Sequence, residues 1–224
     1  MPTKASGFTS SGGTLNASTV TGDLTFPAST YAYIAGNTTR SSASVTFEPS
    51  AYFYLTGANT ELVVSPTAVL TGDIRLLSDG SVGSTLTHQG NTTHSDTSSG
   101  QLYAKSFTNS GTITATAGTL DLGTTTTGYD TFNTGSVIAT GSGTKIYVAG
   151  NVTNTGTLRA ENSGILQFTG ANTTAHLGNV TLTTGGRALL NGTLTNTAAT
   201  LSAPTGGTYE LFGGTIVGGT VNGS

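Results

Sequence analysis

Apolar residues enter this chain singly, set between threonine, serine and glycine. Segments such as Gly111-Thr-Ile113-Thr-Ala115 and Gly118-Thr-Leu120-Asp-Leu122 alternate strictly, and each is closed by glycine, asparagine or both. That period of two is the pattern of a half-buried strand followed by a tight turn. No stretch sustains the i, i+3, i+4 spacing of a helix, and the density of Gly, Thr and Asn opposes one throughout. The pattern predicts an all-β chain of many short strands.

The segments also resemble each other. Phe107-Thr-Asn109-Ser-Gly111-Thr-Ile113 is echoed by Phe132-Asn133-Thr-Gly135-Ser-Val137 and by Val152-Thr-Asn154-Thr-Gly156-Thr-Leu158. A repeat in the low twenties, carrying strands too short to bury an apolar face alone, calls for stacking of one turn on the next. The expected fold is a right-handed parallel β-helix (β-solenoid) of roughly ten coils of about 20–25 residues. Asn109, Asn133 and Asn154 then form an amide ladder along the axis, and Ile113, Val137 and Leu158 a core column. The Asn-x-Gly pair is expected at sharp corners, where both residues tolerate a left-handed backbone.

One domain covers residues 1–224: residues 106–224 carry the regular Asn-x-Gly repeat, while residues 1–105 are less regular and richer in aromatics. Tyr31, Tyr33, Phe47, Tyr52, Phe53 and Tyr54 gather in that first half. Core filling is the simpler expectation for them. The functional alternative is a sugar-stacking strip, with Tyr31, Tyr33 and Tyr54 as ligand-contact residues. The stretch from Thr87 to Gly100 has no apolar residue and is expected to be a solvated excursion loop.

Composition narrows the choices. Charged residues make up 8% of the chain, against roughly 25% in ordinary globular proteins, so hydroxyls and amides must supply the solubility. A chain with seven scattered Lys and Arg and a net charge of -3 lacks the basic footprint of a nucleic-acid binder. No apolar run is long enough for a membrane-spanning helix, Met1 to Gly12 contains no apolar signal core, and with no cysteine there is no disulfide or thiol chemistry.

Candidate chemistry is sparse. His88, His94 and Asp96 are the one group with metal-ligand character; a zinc site needs further ligands or a second shell, so no metal or cofactor is expected. Asp73, Arg75 and Asp79 read as surface ion pairs. The ten acidic residues are otherwise dispersed, whereas polysaccharide cleavage on a β-helix needs clustered carboxylates, so the chain is not expected to be an enzyme. Thr-x-Thr pairs such as Thr112/Thr114 and Thr193/Thr195 raise ice binding as a further alternative, but their spacing along the chain is uneven.

The two ends match. Gly12 to Gly22 and Gly213 to Gly223 agree at six of eleven positions, which nominates Gly12, Thr14, Leu15 and Val20, with Gly213, Thr215, Ile216 and Val221, as end-coil residues for head-to-tail self-association. A heterologous contact that does not close into a ring generates a filament.

The run Gly12-Gly-Thr-Leu15-Asn-Ala-Ser-Thr-Val20-Thr-Gly-Asp23-Leu24 and the run from Thr108 to Gly123 resemble the Gly-Thr-Leu-rich repeats of giant bacterial surface proteins and autotransporter-type β-helical adhesin passengers. The resemblance covers most of the chain. It implies an extracellular or cell-surface setting and a structural or adhesive role, with glycans, a cell surface or the chain itself as partner, and it brings no catalytic motif.

Overall fold

The computed structural model describes residues 8–9, 13–16, 19–20, 23–40, 44–48, 50–57, 59–78, 84–124, 129–202 and 204–222. Its strands wind three to a turn, and among the described residues nearly every strand pairs in parallel with the strand three places on in the chain, the pairing that defines a β-solenoid. The first sheet holds nine strands, from Phe8–Thr9 to Asn179–Leu182; the second holds ten, from Thr14–Asn16 to Gly207–Leu211; the third holds seven, from Thr19–Val20 to Asn151–Asn154. Beyond the third sheet the stack continues in short sheets of three and two strands, ending at Thr215–Val217 and Thr220–Asn222. The second sheet takes one strand from each of ten successive turns, in line with the roughly ten coils expected. Turns vary from the 16 residues between Phe8 and Leu24 to the 26 between Leu76 and Leu102.

Alternation decides which side chains enter the core. In Tyr52–Leu55, Glu61–Val64 and Thr112–Ala115 every second residue is buried. Ile113, Val137 and Leu158 stack directly on one another, as expected, on the inner side of the first sheet. The inner column of the second sheet runs Phe53, Leu76, Leu102, Leu122, Val148, Phe168 and Leu190, all buried. Burying each such side chain stabilises the fold by about 1.5–3 kcal/mol, and each turn offers the next one a matching apolar surface.

The asparagine ladder is present on the inner side of the third sheet. Asn109 Nδ2 donates to Asn133 Oδ1 at 2.7 Å, Asn133 Nδ2 donates to Asn154 Oδ1 at 2.7 Å, and Asn154 Nδ2 donates to the Leu177 carbonyl at 2.8 Å. Leu177 belongs to a single helical turn, Thr174–Leu177, inserted where the third sheet breaks. The ladder begins one turn earlier, at His88. Its Nδ1 lies 2.7 Å from Asn109 Oδ1 and its Nε2 lies 2.9 Å from the Thr92 hydroxyl. Because Asn109 Oδ1 can only accept, Nδ1 carries the proton; burial favours the neutral imidazole, in which Nε2 accepts from the Thr92 hydroxyl.

That placement corrects the reading of residues 87–100 as a solvated loop. The segment contributes to the strands Thr85–His88, Asn91–His94 and Ser99–Tyr103, with His88, Thr92 and His94 each no more than 1% exposed. Its inward positions are polar: Thr92 and Asn109 satisfy His88, and His94 Nε2 approaches the Ser98 carbonyl at 3.3 Å, while His94 Nδ1 is buried without a partner among the described residues. Absence of apolar residues therefore did not mean absence of core.

The Asn-x-Gly pair also works differently from expectation. Gly111, Gly135 and Gly156 do not have a left-handed backbone. A Cβ at Gly135 would stand 2.1 Å from the Gly111 carbonyl oxygen, and one at Gly156 would stand 2.1 Å from that of Gly135. Glycine is required because successive turns touch backbone to backbone beside the amide ladder. Phe132, matched to Phe107 by the sequence repeat, pairs with Thr108 instead and stands outside, 41% exposed, while Thr131 takes the inward place opposite Phe107.

Replacing Asn133 by alanine strands both Asn109 Nδ2 and Asn154 Oδ1 in the core. It is expected to cost about 2–4 kcal/mol in denaturant unfolding, whereas Thr108→Ala on the outer side of the same sheet stays within about 0.5 kcal/mol. Equal costs for the two would contradict the ladder. Burial holds the His88 pKa below its ordinary value, with the Asn109 hydrogen bond acting in the opposite direction. The unfolded chain therefore takes up a proton that the folded chain refuses, so stability is full above about pH 6.5 and declines as the pH falls below it. Asp121, raised by burial, opposes this trend only nearer the carboxylate range. His88→Asn, which extends the amide ladder with an uncharged side chain, should flatten the dependence of melting temperature between about pH 7.5 and 5; an unchanged slope would place the proton elsewhere.

Candidate functional site

The outer side of the second sheet carries most of the chain's distinctive side chains. Strands Tyr31–Ala35 and Tyr52–Leu55 each turn two tyrosines outward, and register places Tyr31 beside Tyr52 and Tyr33 beside Tyr54. The rings are nearly parallel: centroids lie 5.3 Å apart for Tyr31–Tyr52, 5.9 Å for Tyr33–Tyr54 and 5.8 Å for Tyr52–Tyr54, at interplanar angles of 10°, 24° and 12°. Parallel rings in direct contact are only about 3.5–4.0 Å thick, so these are offset like tiles, and each leaves part of its face open. Tyr31 is 45% and Tyr33 40% exposed. Core filling, the simpler expectation for the aromatic group, holds for Phe53 and fails for these tyrosines, because alternation from the buried Ala32, Ile34, Phe53 and Leu55 forces them outward.

Arg75 closes the tiled surface on its next strand. Its guanidinium sits 4.7 Å from the Tyr52 ring centroid, and its Nη1 donates to the Tyr52 hydroxyl. Asp73 holds it there: Arg75 Nε donates to both carboxylate oxygens at 3.1 Å, and the Ser50 amide donates to the same carboxylate at 2.9 Å. Asp73 is fully buried, so this is an anchored pair and not the surface ion pair expected; Asp79 lies outside the described residues. A cation fixed over an aromatic face rigidifies both groups. Burial raises the Tyr54 pKa, as do the phenols of Tyr52, Tyr31 and Tyr33, with Arg75 offsetting part of the rise, so Tyr54 is an uncharged hydrogen-bonding group at neutral pH.

Further along the same side the outward residues become Gln101 and Tyr103, then Asp121, then Tyr147. They line a recess of about 360 Å³ together with Gly123, Thr124, Ala149 and Thr169. The recess exists because the outward positions following Tyr103 carry almost no bulk. A Cβ at Gly123, whose φ is +76°, would stand 2.6 Å from the Ala149 carbonyl oxygen and 2.7 Å from Thr131 Oγ1. Burial raises the Asp121 pKa, and the Gln101 side-chain hydrogen bond partly opposes that. Tyr103 is braced edge-on by Tyr129, centroids 6.2 Å apart, with Lys105 4.2 Å above the Tyr129 ring.

The structure thus brings Tyr31, Tyr33 and Tyr54 together and adds Tyr52. Sequence reasoning missed Arg75 as a clamp and missed Gln101, Tyr103, Asp121 and Tyr147 altogether. His88, His94 and Asp96 do not converge: the two imidazoles are buried inside different sheets, and Asp96 accepts from the Ser98 amide at 2.8 Å, which lowers its pKa. The named Thr-x-Thr pairs fall on different sheets, Thr112/Thr114 on the first and Thr193/Thr195 on the short three-stranded one.

The end-coil residues lie at opposite ends of the stack. Thr14 and Leu15 belong to the first strand of the second sheet and Val20 to the first of the third, while Gly12 lies outside the described residues. At the other end Thr215 and Ile216 lie in Thr215–Val217, with Gly213 just before it, and Val221 lies in Thr220–Asn222. Here Leu211, Phe212, Val217 and Val221 are 60%, 55%, 48% and 55% exposed.

No protein-family model, curated protein or solved structure matches the chain.

Proposed function

We propose that this β-solenoid is an extracellular structural module with an adhesive, carbohydrate-binding second sheet, and that it works without catalysis. The observation that carries the reading is the tiled group of Tyr31, Tyr33, Tyr52 and Tyr54, which leaves large aromatic faces and phenol hydroxyls at the surface of a rigid sheet. Sugars present C–H faces that stack on aromatic rings and hydroxyls that pair with phenols and amides, so such a surface suits a glycan. A rigid platform also lowers the entropy cost of binding. The extracellular setting is supported by the charge-poor, cysteine-free composition and by the resemblance to bacterial surface repeats. A non-catalytic role is supported by the recess lining, in which Asp121 is the one carboxylate where glycoside hydrolysis normally uses two.

A glycan array is expected to give a saturable signal with the wild-type chain, weakened at least about tenfold in the Tyr31→Ala, Tyr33→Ala, Tyr54→Ala triple variant, as loss of several stacking contacts requires. No saturable glycan, or equal binding by the variant, would refute the adhesive reading.

A second reading, head-to-tail assembly, is favoured by the apolar side chains exposed in the last strands, Leu211, Phe212, Val217 and Val221. Burying that end under the first turn of another copy would extend all the sheets of the stack and propagate a filament. Electron microscopy is expected to find filaments one solenoid wide, lost in a Val217→Asp, Val221→Asp variant; a strictly monomeric wild type at high concentration would rule this out.

A further inference from the structure

We infer that the ligand of the second sheet is a neutral, linear oligosaccharide of all-equatorial pyranose units lying along the solenoid axis, and that the recess around Gln101 and Asp121 is the subsite that reads its hydroxyls. The inference rests on the carbohydrate-binding reading above and extends it from a surface to a ligand class and a direction.

Direction follows from register. Tyr54 pairs with Leu77, Leu77 with Tyr103, and Gln101, one position across from the Tyr103 column, leads through Asp121 to Tyr147. From Tyr54 to Tyr147 is therefore four strand steps, about 19 Å at roughly 4.8 Å per step. One sugar ring cannot span that distance, whereas a short chain can. The tyrosine tiles and the recess sit in line along the axis, on one side of one sheet, so a chain bound to the first is led to the second.

The ligand class follows from the groups along that line. Tyr31, Tyr33, Tyr52 and Tyr54 offer partly open ring faces, which suit the flat C–H faces of a sugar whose substituents are all equatorial. Charge along the strip is sparse and of both signs: Asp73 pairs with Arg75, and beyond them stand the Asp121 carboxylate and Lys145, the latter 5.1 Å from the Tyr147 ring centroid. A polyanionic or polycationic glycan finds no field here. In the recess, register sets Gln101 beside Asp121, so an amide and a carboxylate face the hydroxyls of a bound sugar together. Tyr103 and Tyr147 wall the recess, and the small residues Gly123 and Ala149 add almost no side-chain bulk to its lining.

The test is calorimetric titration with cello-oligosaccharides and N-acetylchito-oligosaccharides, from the disaccharide to the hexasaccharide. In the wild type, affinity for at least one series is expected to climb with chain length. Asp121→Ala and Tyr147→Ala should each lose about tenfold or more on the hexasaccharide, the size of one hydrogen bond to a charged group in the Asp121 case, and the loss should shrink as the chain shortens. The tyrosine triple variant should weaken at every length. If the recess variants match the wild type at all lengths while the tyrosine variant fails, the recess is overturned and the tyrosine surface stands. If the tyrosine variant also matches the wild type, or the wild type binds neither series, the axial ligand falls. Asp121→Asn, which keeps the shape and removes the charge, repeats the comparison should the alanine variant unfold.

Discussion

Parallel strands stacked turn on turn at about 4.8 Å impose one constraint on everything else: each side chain must tolerate its counterpart in the next turn directly beneath it. Leucine on isoleucine meets the constraint by burial, and asparagine on asparagine meets it by passing a hydrogen bond along the axis. The run from His88 through Asn109, Asn133 and Asn154 to the Leu177 carbonyl satisfies every amide of the ladder within the buried core. A buried polar column left open at either end would cost more than an apolar one. Here an imidazole closes one end and a helical carbonyl closes the other.

The same constraint explains what the sequence discloses and what it hides. Asn109, Asn133 and Asn154 are legible because an amide ladder needs the same residue at each rung, so the repeat survives in the letters. His88 is a rung of that ladder too, but a different side chain meets the same hydrogen bond, and the polar segment around it looks like a loop. Phe132 misleads by one position, because strand register and not residue identity decides which side faces inward. The glycine beside each ladder asparagine is visible as a motif, although its cause is a backbone contact with the next turn, which requires two turns to be known at once.

The outer side of the second sheet was half legible for a related reason. Tyrosines 31, 33, 52 and 54 lie close together in the chain, so their clustering shows in the sequence even though their outward direction does not. Gln101, Tyr103, Asp121 and Tyr147 come from three successive turns of unequal length: 20 residues separate Leu102 from Leu122 and 26 separate Leu122 from Val148. No fixed period links them, and only the pairing of inner leucines and valines brings them onto one line. Rigidity then turns a row of side chains into a surface. The buried Asp73 fixes Arg75, Arg75 covers Tyr52, and the alternating core beneath holds all four rings at the same height.

Strict register between turns is the claim on which both the ladder and the aligned outer surface stand, and it can be measured as a distance. Asn91 and Asn179 are exposed on the outer side of the first sheet and are linked through Thr112, Ser136 and Thr157 by four strand pairings. Both can be replaced by cysteine and spin-labelled in a chain that has no cysteine of its own. Pulsed electron paramagnetic resonance should give a narrow distribution centred on a backbone separation of about 19 Å, four spacings of roughly 4.8 Å. A broad distribution, or a separation well beyond four strand spacings, would contradict the stack.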